Sequence, residues 1–151
     1  HLWRDLGAHL CIENMDHRKP IGRSADELEK VFCELPEAKL CFDIGHAHEI
    51  DRSVSVAYEI LKRFHDRIIQ VHASEVSDMC EHRAFTASSE AAFSRVASLV
   101  PENAAVILET VVPTKEVPEQ MQKARRIFGD LPSDERSLNR PGYSSEPLVT
   151  R

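Results

Sequence analysis

Four short apolar segments recur along the chain, and longer segments with helical periodicity separate them. Each apolar segment holds three or four residues, too few for a typical helix, and is rich in β-branched or bulky side chains. Such segments are typical of strands that are buried on both faces of a parallel sheet. The pattern therefore predicts four strands, at residues 10–12, 39–42, 68–71 and 105–108.

The segments between the strands carry apolar residues at helical spacing and have recognisable ends. Ser24 and Glu27 match a capping box, and Pro36 stops the same helix because proline cannot continue it. Gly129 is placed to end the last helix. We predict helices at residues 24–35, 51–64, 89–99 and 114–128, with the tail of an earlier helix at 2–8. The repeated strand–helix order predicts an α/β fold with a parallel sheet and right-handed crossovers.

Length and composition are those of a single folded domain. The chain has 151 residues, of which 42% are hydrophobic, enough for one core, which we expect within residues 1–130. Residues 131–151 hold several prolines and serines and are predicted to form a flexible tail.

Charge and cysteine usage narrow the class of protein further. No apolar run approaches the roughly 20 residues that a membrane helix needs, and no signal peptide is visible. The net charge of -6 argues against nucleic acid as a partner. The four cysteines lack CxxC spacing, which indicates reduced thiols and a cytoplasmic protein. Cys11 and Cys41 lie inside apolar runs and are expected to be buried.

The candidate chemistry lies where each predicted strand ends. The four strands run directly into residues that commonly bind metal ions, namely Glu13, Asp43, His72 and Glu109. A single carboxylate after a strand is more often a helix cap or a solvated loop residue. In a (β/α) barrel, however, the carboxyl ends of the strands converge on one face, where active sites lie. Carboxylates gathered there would repel one another without a cation. The set therefore predicts a site for a divalent ion such as Mn²⁺, Mg²⁺, Co²⁺ or Zn²⁺.

The same strand ends resemble those of the xylose isomerase-like superfamily. Residues 11–15 (Cys-Ile-Glu-Asn-Met) are similar to its hydrophobic-Glu-Asn element, and residues 43–46 (Asp-Ile-Gly-His) to its Asp-x-Gly-His element. Residues 71–74 resemble its His-hydrophobic-Ser/Asn-Asp element, and residues 107–110 its final strand. The resemblance covers residues 10–128 and implies the last four units of an eight-stranded TIM barrel. Such a half barrel exposes two strand edges, so we expect self-association or pairing with a missing N-terminal half.

In the sugar isomerase and epimerase branch, the resemblance implies that one metal ion is held by Glu13, Asp43, His72 and Glu109. The two glutamates would also form the acid–base pair that moves a proton at a carbon next to a carbonyl. The substrate implied is a sugar or sugar phosphate, contacted by His46, His82 and Arg83.

Two other functions stay open. In the endonuclease IV branch, the resemblance implies a zinc phosphodiesterase that acts on abasic DNA, with several ions held by more ligands. That branch expects an Asp-x-His pair after the third strand, and here Cys80 stands in place of the Asp before His82. The third hypothesis is an inactive half-barrel fragment that keeps the four metal-ligand residues but catalyses no reaction.

Overall fold

The computed structural model describes residues 6–129 and has an α/β fold, as predicted. Its strands are β1 (Cys11–Glu13), β2 (Lys39–Asp43), β3 (Ile68–Ala73), β4 (Glu75–Val76), β5 (His82–Arg83) and β6 (Ala105–Leu108). β1, β2, β3 and β6 form one parallel sheet in that order, and β4 and β5 form a separate antiparallel hairpin. All four predicted strands are therefore confirmed.

Helices fill the connections between the strands of the parallel sheet. They are α1 (Ala25–Glu34), α2 (Ile44–Ile50), α3 (Ser55–Phe64), α4 (Ala87–Ser94) and α5 (Val117–Phe128). Short 3-10 helices lie at Gly7–His9, His65–Arg67, Ala97–Leu99 and Thr114–Glu116. In the described part of the chain, no helix has the length and apolar character that crossing a membrane requires.

The helices cover one face of the parallel sheet. Leu40 and Phe42 of β2 and Val71 of β3 are fully buried there. They share one apolar core with helix residues Leu28, Phe32, Ile60, Leu61, Phe93 and Ile127. Burial of each such side chain stabilises the fold by about 1.5–3 kcal/mol, and this holds the helices against the sheet.

Within the described structure, the opposite face of the sheet is open along its two outer strands, β1 and β6, which differs from the predicted burial on both faces. Cys11 and Ala105 are exposed, and Ile107 keeps 41% of its surface accessible. Side chains alternate along a strand, so Ile12 packs against the core while its neighbour Cys11 turns to the open face. The expected burial of Cys11 is therefore wrong, whereas that of Cys41 is confirmed.

The helix predicted from residue 51 begins later, at Ser55, and a separate helix precedes it. Asp51 lies in the turn between them and accepts a hydrogen bond of 2.9 Å from the backbone N–H of Ser55. Helix α2 was not predicted because residues 44–48 are all buried, so no polar face marks a helical period.

Other helix ends also shift from the prediction. Ser24 caps α1 by accepting from the N–H of Glu27, but the Glu27 carboxylate binds Arg23 rather than closing the predicted capping box. The helix predicted at 89–99 starts at Ala87 under a Thr86 cap and is interrupted after Ser94. The predicted C-cap at Gly129 is confirmed.

Some predictions fall outside the described residues. The flexible tail at 131–151 lies wholly beyond them, and the earlier helix at 2–8 lies largely beyond them. The β4–β5 hairpin, by contrast, is described but was not predicted, because two strands of two residues each leave no apolar run in the sequence.

Candidate metal centre

The four predicted ligands meet at the carboxyl end of the parallel sheet. One ligand atom from each of Glu13, Asp43, His72 and Glu109 lies within 4.8 Å of the others. Nδ1 of His72 is 3.2 Å from Oε1 of Glu109 and 3.7 Å from Oε1 of Glu13. The sheet register produces this convergence, because Asp43 pairs with His72 and Glu109 directly follows β6. These groups can therefore hold a metal ion. We define them as the metal centre.

Asp43 is both a helix cap and a candidate ligand. Its Oδ1 accepts a hydrogen bond of 2.7 Å from the backbone N–H of His46, which fixes the carboxylate at the start of α2. Its Oδ2 is buried and has no hydrogen-bond partner. Burial raises the pKa of Asp43 to about 6, with Glu13 adding to the rise and His46 opposing it. A cation would satisfy this oxygen and compensate its charge.

Nδ1 of His72 is a second buried atom without a hydrogen-bond partner, since Oε1 of Glu109 lies 3.2 Å away but outside hydrogen-bond geometry. On the other side of the ring, the amide nitrogen of Gln70 donates to Nε2 of His72 at 2.6 Å. A metal ion on Nδ1 needs the proton on Nε2, and a half-turn of the Gln70 amide lets its oxygen accept that proton. Gln70 was not among the predicted site residues. Its position two residues before His72, which puts both side chains on the same face of β3, could have indicated the contact.

The two glutamates differ from Asp43 in their access to solvent. The side chain of Glu13 keeps 30% of its surface accessible and that of Glu109 keeps 34%, whereas Asp43 keeps none. Glu13 lies on β1 and Glu109 follows β6, the two outer strands of the parallel sheet. A molecule bound at the centre would therefore have one carboxylate on either side.

Asn14 ties the first two strands together beside the metal centre. Its side-chain amide donates to the carbonyl of Asp43 at 2.8 Å and accepts from the N–H of Asp43 at 2.7 Å. Its backbone carbonyl accepts from Nδ1 of His46 at 3.0 Å. Asn14 directly follows Glu13 but was not among the predicted site residues. In the structure, Asn14 thus holds the backbone of Asp43 and the imidazole of His46.

Gly45 allows α2 to lie against the segment that follows β3. A Cβ at this position would lie 2.6 Å from Cγ2 of Val76 and 2.7 Å from the carbonyl oxygen of Ser74. Both distances are too short for any side chain, so the close approach requires glycine. The Asp-x-Gly-His spacing thus combines a cap at Asp43, a close contact at Gly45 and an imidazole at His46.

Two of the residues predicted to contact substrate, His46 and His82, border the metal centre. Nδ1 of His46 is 3.4 Å from Oε1 of Glu13, and Nδ1 of His82 is 3.6 Å from Oε2 of Glu109. The two imidazole rings lie 5.4 Å apart. They reach this place from different elements, His46 from α2 and His82 from β5.

Arg83, the third predicted substrate contact, has another partner. Its side chain is exposed and its guanidinium pairs with Glu81. Its neighbour His82 is instead held through its Nδ1, which lies 2.8 Å from Oγ of Ser74. The structure thus brings His46 and His82, but not Arg83, to the ligands.

Cys41 lies beside the metal centre and was not predicted as part of it. Its sulfur groups with ligand atoms of Glu13 and His72 within 4.8 Å. Burial raises the pKa of the Cys41 thiol to about 12, and the charge of Glu13 contributes to the rise. A neutral thiol on the side of β2 that carries Asp43 therefore borders the ligands.

No model of a protein family matches the chain, and no curated protein matches it. Function is therefore inferred from the geometry of the metal centre.

Proposed function

We propose that this chain is a divalent-metal-dependent sugar or sugar-phosphate isomerase or epimerase that moves a proton at a carbon next to a carbonyl. One observation carries the proposal: two accessible glutamates, a buried aspartate and a histidine converge within 4.8 Å. The ligand atoms without hydrogen-bond partners, Oδ2 of Asp43 and Nδ1 of His72, support a metal ion among them.

Three carboxylates and one imidazole suit Mn²⁺, Mg²⁺, Co²⁺ or Zn²⁺, held by Glu13, Asp43, His72 and Glu109. When bound, such an ion polarises a carbonyl and a neighbouring hydroxyl and stabilises the negative charge that develops as a C–H proton leaves. Asp43 is buried and positioned by its capping bond, so its role is confined to holding the ion.

Glu13 and Glu109 are placed to move the proton. Because they come from the two outer strands, they flank the centre and remain accessible to a bound molecule. One carboxylate removes a proton from one face of the substrate, and the other delivers a proton to the opposite face, which inverts that carbon. Delivery to the adjacent carbon would interconvert an aldose and a ketose.

His46 and His82 favour a substrate with several hydroxyl groups. An imidazole can donate one hydrogen bond and accept another, which matches the hydroxyls of a sugar. They lie beside opposite glutamates, His46 near Glu13 and His82 near Glu109. Arg83 would serve the phosphate of a sugar phosphate after exchanging its pairing with Glu81.

We further propose that the described units form one half of a (β/α) TIM barrel. Four parallel strands in chain order, a helical layer on one face and ligands at the carboxyl ends support this arrangement. The open face of the sheet, which carries Cys11 and Ile107, would be the inner face of the barrel. Within the described residues, β1 and β6 have unpaired outer edges, so a second copy of the chain or an N-terminal half would close it.

If a second copy covers the open face, Cys11 will become protected from thiol reagents as protein concentration rises. Cys33 is exposed on α1 and serves as the internal control. We expect the ratio of Cys11 to Cys33 labelling, measured by mass spectrometry, to fall from dilute to concentrated protein. A ratio independent of concentration would contradict closure by a second copy.

Deuterium uptake in D₂O tests the proposed function. A panel of ketoses and ketose phosphates is incubated with the chain and Mn²⁺, and proton NMR follows exchange at the carbon next to the carbonyl. We expect uptake that a chelator abolishes. Bound metal without uptake on any member of the panel would contradict the isomerase or epimerase function.

Asp43→Asn separates metal binding from folding in the same protein. The asparagine keeps the acceptor for the His46 N–H but removes a buried charge, so the metal-free variant should be at least as stable as the parent chain. For the parent chain we expect Mn²⁺ at about 100 times its Kd to raise Tm by about 5–10 °C, and for the variant no rise.

The matched control for this melting experiment is Asp66→Asn, because Asp66 is fully exposed on the 3-10 helix His65–Arg67. It should keep the full rise in Tm. A rise retained by Asp43→Asn would exclude Asp43 as a ligand.

A zinc phosphodiesterase acting on abasic DNA is the second candidate function. The observation that favours it is a further group of ligand atoms within 4.8 Å, from Asp43, His46 and His82. It shares Asp43 with the metal centre, and a carboxylate shared by two ions is suited to phosphodiester cleavage. Zinc-dependent cleavage of an abasic duplex, without deuterium uptake on sugars, would favour this function.

A further inference from the structure

A separate group of side chains with metal-binding character lies outside the metal centre. His17 follows β1, Glu49 lies in α2, and Cys80 lies in the turn between β4 and β5. Nδ1 of His17 contacts Oε1 of Glu49, and the same nitrogen is 3.5 Å from Sγ of Cys80. One ligand atom from each residue lies within 4.8 Å of the other two.

Burial makes this group a partly enclosed site with one open side. The side chain of Glu49 keeps 6% of its surface accessible and Cys80 keeps 8%, whereas His17 keeps 51%. An ion could therefore enter past His17 and reach two buried ligands. The charge of Arg18 acts on Cys80, but the Arg18 guanidinium donates two hydrogen bonds to Asp16, of 2.9 and 3.1 Å, and the Asp16 carboxylate compensates that charge.

The chemistry of the three ligand atoms selects the ion. A sulfur ligand disfavours Mg²⁺, Ca²⁺ and Mn²⁺, which prefer oxygen, whereas Zn²⁺ accepts sulfur, nitrogen and oxygen together. Three protein ligands leave a fourth tetrahedral position for water. We propose that His17, Glu49 and Cys80 form a zinc site that is distinct from the metal centre.

Zinc bound to these three ligands would link three segments that are distant in sequence. His17 and Cys80 are 63 residues apart in sequence. The hairpin that carries Cys80 also carries His82, which borders Glu109 at the metal centre. Zinc would therefore fix the position of the hairpin, and with it the position of His82. This role does not depend on which reaction the metal centre performs.

Cobalt substitution tests the proposal on the full chain. After treatment with a chelator, the protein is titrated with Co²⁺, and the near-ultraviolet charge-transfer absorption of a cobalt–thiolate bond is recorded. We expect this absorption in the parent chain and its loss in Cys80→Ser and His17→Ala. Competition with a chelating dye should show Zn²⁺ affinity at this site reduced by at least about 10–100-fold in Glu49→Gln.

Two further cysteine variants make the result specific. Cys33→Ser is the matched control, because Cys33 is exposed on α1 and outside the group, and it should keep the absorption. Cys41→Ser should also keep it. If the absorption is lost in Cys41→Ser but kept in Cys80→Ser, the thiolate lies at the metal centre and the proposal is overturned. Co²⁺ binding to the parent chain without any thiolate absorption would also overturn it.

A second readout covers the case in which Cys80→Ser folds poorly. Hydrogen exchange of the amides in residues 77–82 should slow when Zn²⁺ is added to the parent chain. The same slowing should persist in Glu13→Gln, which alters the metal centre next to His46 and His72 rather than next to the hairpin, and should be absent in Glu49→Gln. Zinc that leaves this exchange unchanged in the parent chain would contradict a link to the hairpin.

Discussion

Glu109→Gln will lower the rate of deuterium uptake by about 10²- to 10⁴-fold, the range that a positioned acid–base group contributes. The amide keeps the size of the side chain but can neither take up nor deliver a proton. Oε1 of Glu109 lies 3.2 Å from Nδ1 of His72, and a third of the side chain remains accessible. The residue is therefore next to the candidate ligand His72 and open to a bound molecule. Proton NMR in D₂O measures the change.

Metal content separates the two roles of Glu109. If the variant keeps its bound Mn²⁺ and loses turnover, Glu109 acts on the proton; if it loses both, Glu109 acts chiefly as a ligand. Glu102→Gln is the matched control, since Glu102 is exposed in the turn before β6, and it should retain full activity. Full activity in Glu109→Gln would contradict both roles.

Asn14→Ala will lower the free energy of unfolding by about 2–4 kcal/mol. It leaves the buried N–H of Asp43 without a partner, at a cost of about 1–3 kcal/mol, and removes one of the hydrogen bonds to the Asp43 carbonyl, worth about 0.5–1.5 kcal/mol. Asn14 itself is fully buried, and its amide bonds both the N–H and the carbonyl of Asp43. The lost side chain also leaves a void between β1 and β2. Urea denaturation followed by circular dichroism measures the loss.

The control for this prediction is Asn103→Ala, an exposed residue in the turn before β6. Its effect should stay within about 0.5 kcal/mol. A loss of less than about 1 kcal/mol in Asn14→Ala would show that the Asp43 backbone finds other partners, and Asn14 would then not be the residue that joins the two strands.

The arrangement of the parallel sheet could be predicted because each of its strands is a local feature. Short apolar runs mark strands whichever elements they later pack against, and the strand–helix repeat implies parallel pairing. The convergence of Glu13, Asp43, His72 and Glu109 followed from the same rule, since parallel strands present their carboxyl ends at one edge. That these residues bind a metal ion and act on sugars stays a prediction.

Other features left no local pattern. Helix α2 is buried on all sides and so lacks the amphipathic stripe that reveals α1 and α3. The hairpin of β4 and β5 is too short to show alternation. The apolar sequence of the strand at 105–108 predicts burial on both faces, yet Ile107 is exposed. Whether the second face of a sheet is covered depends on segments elsewhere in the structure, which the sequence of the strand does not describe.

By itself, then, the sequence determined the strands, most helices and the residues at the strand ends. These features depend on residues close together in sequence, and hydrophobic periodicity reveals them. Only the tertiary structure decided which side chains from distant segments meet. Asn14 bonds Asp43 across 29 residues, and His17 meets Cys80 across 63. Such contacts depend on how loops pass one another after the core has packed, and the sequence near either residue carries no periodic signal of its partner.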